Sequence, residues 1–124
     1  MKILIIDDDQ DVIDTTSTLL KYKGYEAFGA DTIEEGIELI GKVEPQIILL
    51  DIMFPEKTTM GFEAADKIKE MYPEIPIFAL SSINEEYAFN FSKTDAKTDE
   101  FLTKPINIDL LIKLIEKYTK EEKE

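Results

Sequence analysis

The stretch KILIIDDDQD, residues 2–11, joins a run of apolar residues directly to a cluster of acids. The apolar part is short and ends in polar residues, which predicts a buried β-strand over residues 2–7. Three aspartates, Asp7, Asp8 and Asp9, end this run without a break. Their carboxylates repel one another, most strongly where the dielectric constant is low. The pattern therefore indicates that a cation compensates the acids at the end of this strand.

Apolar runs and amphipathic segments alternate along the rest of the chain. Strands are predicted at residues 2–7, 25–30, 46–51, 75–81 and 100–103. Helices are predicted at residues 11–23, 32–43, 62–72, 84–96 and 107–118. Gly24 is a candidate helix stop, Thr32 with Glu35 forms a capping-box pattern, and Asn107 is a candidate N-cap. The alternation predicts an α/β fold with a parallel sheet covered by helices on both faces.

The length and composition limit the possible classes of protein. A chain of 124 residues is long enough for one domain with a core. We predict one domain over residues 1–120 and a charged C-terminal tail over residues 121–124. The net charge is −13, and all 14 basic residues are lysines. This balance argues against nucleic acid or an anionic membrane surface as a partner.

Two residue types are missing from the sequence, and their absence excludes several kinds of site. The chain has no cysteine and no histidine. It therefore has no disulfide, no thiolate or imidazole metal ligand, and no Ser-His or Cys-His nucleophile. No apolar run approaches the roughly 20 residues that span a bilayer, and no signal-peptide pattern begins the chain. A cytoplasmic location is expected.

Reactive side chains follow four of the five predicted strands. The first strand ends in the three aspartates 7–9, the third in Asp51, the fourth in Ser81 and the fifth in Thr103 and Lys104. Each of these residues alone is common as a helix cap or a surface residue. In parallel sheets, however, the carboxyl ends of the strands share one edge, where ligands bind. The four strand ends together predict one site.

The chemistry of this set points to a divalent metal ion. Clustered carboxylates suit a hard ion such as magnesium, which keeps water and phosphate oxygens among its ligands. Lys104 adds positive charge, but one ammonium cannot neutralise three acids. With such an ion present, one carboxylate could act as a nucleophile toward a phosphoryl group.

Four motifs now support a family resemblance. The segments ILIIDDD (3–9), IILLDIMFP (47–55), IFALSS (77–82) and FLTKPI (101–106) closely resemble the receiver domains of two-component response regulators. Each motif alone is weak, but the four occur in the family's order and at nearly its spacings. The resemblance implies a CheY-like, flavodoxin-like three-layer (βα)5 domain with strand order 2-1-3-4-5.

The resemblance also implies the roles of the acidic residues. Asp51 would be the phosphoacceptor. Asp8 would bind Mg2+ directly, Asp7 would act mainly through water, and the backbone carbonyl of Met53 would complete the protein's ligands. Mn2+ could replace Mg2+.

Further roles are implied for the phosphoryl-binding and switch residues. Ser81 and Lys104 would bind the phosphoryl group. Phe101 stands in the place of the family's aromatic switch residue. The peptide bond between Lys104 and Pro105 would be cis.

The implied partners are proteins. A sensor histidine kinase or a phosphotransfer protein would supply the phosphoryl group, because the chain has no histidine of its own. The domain would catalyse its own phosphorylation and dephosphorylation without being an enzyme in the usual sense. Its output would be a downstream protein bound to the face formed by helix 84–96, strand 100–103 and helix 107–118. Neither nucleic acid nor membrane is an expected partner.

The sequence departs from the family pattern at three places. The loop from Pro55 to Gly61 is about two residues longer than usual. DAKTDEF (95–101) replaces the family's small Gly-Ala pair, and Ser82 replaces a small alanine. These departures affect the border of the site and the expected output face.

Alternatives to a phosphorylated receiver stay open at this point. The run from Asp7 to Asp9 also fits a haloacid-dehalogenase-type phosphatase, with Asp7 as nucleophile and Asp9 as general acid. The short chain and the unused Asp51 disfavour that interpretation. A degenerate receiver that only docks to a partner is the other alternative, although such proteins usually lose an acid or the lysine. We expect a stand-alone receiver domain, although a fragment cut from a longer regulator would look the same in sequence.

Overall fold

The computed structural model describes residues 1–52, 60–81 and 98–123. Its five strands are β1 (Lys2–Ile6), β2 (Glu26–Ala30), β3 (Ile47–Asp51), β4 (Ile77–Ser81) and β5 (Glu100–Thr103). The described helices are α1 (Gln10–Tyr22), α2 (Ile33–Val43), α3 (Met60–Met71) and α4 (Ile108–Lys123). The predicted helix 84–96, together with Met53 and Ser82, lies outside the described residues.

The five strands form one parallel sheet in the order β2-β1-β3-β4-β5. This confirms the predicted α/β fold and the strand order 2-1-3-4-5. The central strands β1 and β3 pair through Ile3↔Ile47 to Ile6↔Leu50. All five residues of β3 are buried, as the unbroken apolar run QIILLD predicts.

Helices cover the two faces of the sheet and create two separate apolar layers. The first, the α2/α3 face, is built from Leu4, Ile6, Ile40, Ile48, Leu50, Ala64, Ala65 and Ile68, among others. The second, the α1/α4 face, includes Ile3, Ile5, Ile13, Leu20, Ile47, Leu49, Phe78, Leu102, Leu111 and Ile115. Alternate residues of each strand enter opposite layers because side chains alternate along a strand. The result is the predicted three-layer architecture.

Local capping interactions set the ends of several helices. The side chain of Asp9 accepts a hydrogen bond from the backbone N–H of Asp11, and Thr32 accepts one from Glu35. Asn107 caps α4 by accepting from the N–H of Leu110 at 3.1 Å. These contacts confirm Thr32 and Asn107 as N-caps and show that Asp9 caps α1, because each satisfies a backbone donor that the helix leaves unpaired.

The ends of α1 and α2 use left-handed backbone. Gly24, with φ of 96°, follows α1 and confirms the predicted stop. Glu44 ends α2 with φ of 52°, a conformation that glycine adopts more easily.

Some boundaries differ from the prediction. The strand β4 begins at Ile77 rather than residue 75, because Pro76 has no N–H to pair and contributes only its carbonyl, to the N–H of Ile48. The strand β2 begins one residue late because the N–H of Tyr25 still bonds Leu20 in the preceding turn.

The C-terminal helix is longer than predicted. It continues to Lys123, although helix was predicted only to residue 118. Residues 119–123 contain neither glycine nor proline, so nothing in that stretch breaks a helix. Within residues 1–52, 60–81 and 98–123, every helix is too short or too polar to cross a membrane.

Candidate functional site

Charged side chains from three strands meet at the carboxyl edge of the sheet. Carboxylate oxygens of Asp7, Asp8 and Asp51 all lie within 4.8 Å of one another. We call these three residues the carboxylate cluster. The ammonium of Lys104, just beyond β5, lies 2.7 Å from Asp7 Oδ2 and 3.7 Å from Asp51 Oδ1. The structure thus brings together four residues predicted from the sequence to form one site.

Asp7 is held by backbone hydrogen bonds on two sides. Its N–H donates to the carbonyl of Ala30 at the end of β2, at 3.0 Å. Its Oδ1 accepts a hydrogen bond of 2.9 Å from the N–H of Asp9. This Asx turn leaves Oδ2 directed at Lys104. The orientation of this buried carboxylate is therefore fixed before any ligand binds.

Asp9 has a different role from its two neighbours. Its own carboxylate accepts from the N–H of Asp11 and caps α1. Asp9 is exposed, whereas Asp7 is fully buried. The sequence analysis missed the contribution of its backbone N–H to the site. The signal was present, since aspartate often bonds the N–H two residues later.

Asp51 and Ser81 are placed by the register of the inner strands. Asp51, the last residue of β3, pairs with Leu80 of β4, and the N–H of Ile52 donates to the carbonyl of Leu80 at 3.1 Å. Ser81 ends β4 and is fully buried. Its carbonyl accepts a hydrogen bond of 2.8 Å from the N–H of Lys104. The backbone of Lys104 is therefore tied to the serine predicted to share its ligand.

The described residues of the site carry more negative than positive charge. Among them, the carboxylates of Asp7, Asp8 and Asp51 meet one ammonium, that of Lys104, which gives these four residues a net charge of about −2 if all are ionised. Among the described residues, Oδ2 of Asp7 accepts no hydrogen bond, and its 2.7 Å contact with Lys104 is an ion pair. A divalent cation would supply the missing charge. The oxygen-only ligand set fits Mg2+ or Mn2+.

The three carboxylates of the cluster differ in burial. Asp7 and Asp51 are buried, whereas Asp8 is exposed. Solvent therefore reaches the cluster at Asp8.

The remaining predicted residues lie around the cluster. Phe101 is half-buried in β5 and pairs with Ala79 of β4. The peptide bond between Lys104 and Pro105 is cis. Met53 lies outside the described residues, so its predicted carbonyl ligand stays a prediction.

Comparison with known proteins identifies the family. The family model for the response regulator receiver domain matches residues 3–116. The chain belongs to this family. This match favours a receiver domain over the haloacid-dehalogenase alternative.

Relatives agree with this assignment. The response regulator SaeR of Staphylococcus epidermidis is 30% identical over 105 residues, which cover 85% of this chain and 44% of SaeR. The receiver domain thus spans less than half the length of this curated relative.

Solved structures of other proteins share the fold of this chain. A two-component response regulator from Clostridium difficile matches with a TM-score of 0.85 and 26% identity, covering 100% of this chain and 99% of that one. A CheY-like receiver domain protein from Methanospirillum hungatei JF-1 matches with a TM-score of 0.81 and 32% identity, covering 98% and 96%. The protein is therefore a CheY-like receiver domain of two-component signalling.

Proposed function

We propose that this receiver domain accepts a phosphoryl group on Asp51, in a reaction that requires Mg2+ and that Mn2+ can also support. The single observation that carries the proposal is the convergence of the carboxylate cluster with Lys104. Three carboxylates lie within 4.8 Å of one another, and the ammonium is 3.7 Å from Asp51. An isolated helix cap would need none of these neighbours.

The chemistry assigns a separate task to each residue. An oxygen of Asp51 attacks the phosphorus of a phosphohistidine, and the bond between that phosphorus and the donor's imidazole nitrogen breaks. The donor is a sensor histidine kinase or a phosphotransfer protein, because this chain has no histidine. The ammonium of Lys104 and the hydroxyl of Ser81 stabilise the negative charge on the transferred oxygens. Water later attacks the same phosphorus, the bond between that phosphorus and the Asp51 oxygen breaks, and inorganic phosphate leaves the restored carboxylate.

The metal would be held by the carboxylate cluster and the Met53 carbonyl. As the family resemblance implies, Asp8 would be the more direct ligand. Asp7, which is paired with Lys104, would act mainly through water. When bound, the ion neutralises charge on the acids and on the phosphoryl oxygens.

The output of the domain is a change in protein contacts. Phosphorylation shifts a conformational equilibrium that involves Ser81 and Phe101 and alters the face formed by residues 84–96, β5 and α4. A downstream protein binds that face. The domain works in the cytoplasm, where histidine kinases present their phosphohistidine.

The test is phosphorylation by a small-molecule donor with Mg2+, followed by measurement of intact mass. We expect a mass gain of one phosphoryl group that requires Mg2+ and disappears in Asp51→Asn. The matched control is Asp9→Asn. It also replaces an aspartate by asparagine, but at the N-cap of α1, so the mass gain should persist. Mg2+ binding with no mass gain from any donor would overturn the proposal and favour a receiver that only docks to a partner.

A further inference from the structure

Two consecutive acids at the start of β5 contact helices on opposite faces of the sheet. Asp99 Oδ2 lies 2.9 Å from the ammonium of Lys69 in α3. Glu100 Oε2 accepts a hydrogen bond of 2.8 Å from the hydroxyl of Tyr118 in α4 and lies 3.2 Å from the Lys117 ammonium. We call these contacts of Asp99 and Glu100 the β5 clamp. It joins both helical layers to one end of a single strand.

The Asp99 side of the clamp also holds the backbone of β4. The N–H of Asp99 donates to the carbonyl of Ile77 at 2.7 Å, and the N–H of Ile77 donates to Asp99 Oδ2 at 2.8 Å. The same Lys69 ammonium donates to the carbonyl of Ile75 at 2.7 Å. Asp99 thus brackets Ile77 with two hydrogen bonds, which specify where β5 begins along β4.

The Glu100 side of the clamp is supported by ring packing. Tyr118 packs its ring against Phe78, with centroids 5.3 Å apart, and the register pairs Phe78 with Glu100. Packing against the core of the α1/α4 face therefore positions the Tyr118 hydroxyl next to Glu100. Glu100 and Tyr118 are both only partly exposed, so their hydrogen bond is stronger than one at the open surface.

The strand that carries this clamp is short and lies at the edge of the sheet. β5 has four residues, and among the described strands it pairs with β4 alone. Strands β1 and β3, which carry the acids, each have neighbours on both sides. A slip of one residue would move β5 by about 3.3 Å and reverse its faces. Lys104 follows directly after β5, so its ammonium would move with the strand.

We propose that Asp99 and Glu100 are positioning residues for Lys104. They hold the start of β5 against α3, β4 and α4, so that the ammonium at its other end reaches Asp7 and Asp51. Neither acid touches the site, because both lie at the opposite end of β5. The kinetic part of this inference rests on the proposed phosphorylation of Asp51; the structural part does not.

The kinetic test is a double-mutant cycle with Lys104. We expect Asp99→Ala combined with Glu100→Ala to slow phosphorylation of Asp51 by about tenfold, because small displacements of a catalytic group reduce rates strongly. In a Lys104→Ala background the same two changes should alter the rate less than twofold. An equal slowing in both backgrounds, or none in either, would show that the clamp only stabilises the fold.

A matched control and conservative variants sharpen the test. Gln46→Ala removes a comparable side-chain contact at the start of the central strands. There, the N–H of Lys2 donates a hydrogen bond of 2.7 Å to Gln46 Oε1. It should leave the rate unchanged. Asp99→Asn and Glu100→Gln keep acceptors for Ile77 and Tyr118, so each should recover most of the rate. If the double alanine variant does not fold, these two conservative variants are used in its place.

Hydrogen exchange tests the clamp without any phosphoryl transfer. The N–H of Lys104 donates to Ser81, and the N–H of Ile52 donates to Leu80. In the clamp variant, exchange at Lys104 should accelerate at least about tenfold while exchange at Ile52 stays unchanged. Unchanged exchange at Lys104 would overturn the proposal. If the wild-type protein takes no phosphoryl group, the proposed function fails, and this measurement still decides the clamp.

Discussion

The two charges of the site are carried by strands of very different construction. Asp7 directly follows β1, and Asp51 is the last residue of β3. Both strands lie inside the sheet, and their apolar residues are buried. Lys104 follows β5, an edge strand in which only Leu102 is buried. The acids are therefore placed by the core itself, whereas the lysine depends on contacts at the margin of the sheet. Substitutions that distinguish the two regions test this difference.

The largest expected difference is in the apolar core. We expect Leu49→Ala in β3 to lower the free energy of unfolding by about 4 kcal/mol and Leu102→Ala in β5 by about 2 kcal/mol. Leu49 has neighbouring strands on both sides, so its surroundings cannot close the cavity, whereas the edge around Leu102 can relax. Urea unfolding at equilibrium measures both. Equal losses would contradict the contrast between centre and edge.

The next effect concerns Lys104, whose ammonium lies 2.7 Å from the buried carboxylate of Asp7. Lys104→Ala should lower the free energy of unfolding by about 2 kcal/mol in the presence of a chelator, because it removes a cation that is paired with this buried carboxylate. Added Mg2+ should stabilise this variant more than it stabilises the wild type. Thermal unfolding with chelator and with Mg2+ measures the difference.

The control for that prediction is Lys113→Ala, which removes an exposed lysine of α4. Its effect should be close to zero in both conditions. A loss of similar size at both lysines would show that net charge, and not the position of Lys104, governs stability.

A smaller effect separates two neighbouring acids. Asp8→Ala should weaken Mg2+ binding by at least about tenfold, because Asp8 belongs to the carboxylate cluster. Asp9→Ala should leave Mg2+ binding unchanged and lower the free energy of unfolding by about 1 kcal/mol, through loss of the cap of α1. Calorimetric titration and urea unfolding give the two quantities. Equal Mg2+ affinities in the two variants would remove Asp8 from the site.

The smallest expected effect is on the ionisation of Tyr25, beside β2 at the other edge of the sheet. Burial of Tyr25, just before β2, raises the pKa of its hydroxyl above 10.0, and the negative charge of Glu116 adds to the shift. The folded state therefore favours the protonated form. Its contribution to stability is complete below about pH 10 and is lost as pH rises through the raised pKa.

Absorbance titration against Tyr25→Phe would isolate this pKa. Glu116→Gln should lower it slightly, because burial is the larger cause. A pKa at or below 10.0 in the wild type would contradict the prediction.

Particular residues show how far the sequence could predict this structure. The unbroken apolar run in QIILLD, residues 46–51, predicts a strand that is buried on both faces. All five residues of β3 are buried. Asp9, Thr32 and Asn107 were predictable as caps because a cap is a contact within a few residues. Pro76, by contrast, delays the start of β4 through a missing N–H that hydrophobicity alone does not reveal. The helix beyond residue 118 was missed because a charged segment looks the same as a frayed tail.

The candidate site divides in the same way. The order of strands and the chemistry at their ends follow from apolar runs and the residues that end them. This information is local and can be read along the chain, so Asp7, Asp51, Ser81 and Lys104 could be named as partners without coordinates. The resemblance to receiver domains supplied their expected roles.

Only the tertiary structure decided which atoms meet. It turns Oδ2 of Asp7 toward Lys104 and its Oδ1 toward the N–H of Asp9. It also places Asp99 and Glu100, two ordinary acids in the sequence, against helices on opposite faces of the sheet. Apart from the local bond between Asp7 and Asp9, these contacts join residues from 18 to 97 positions apart in the chain. Local sequence patterns do not encode them, because they arise only once the packed core has set the register of every strand.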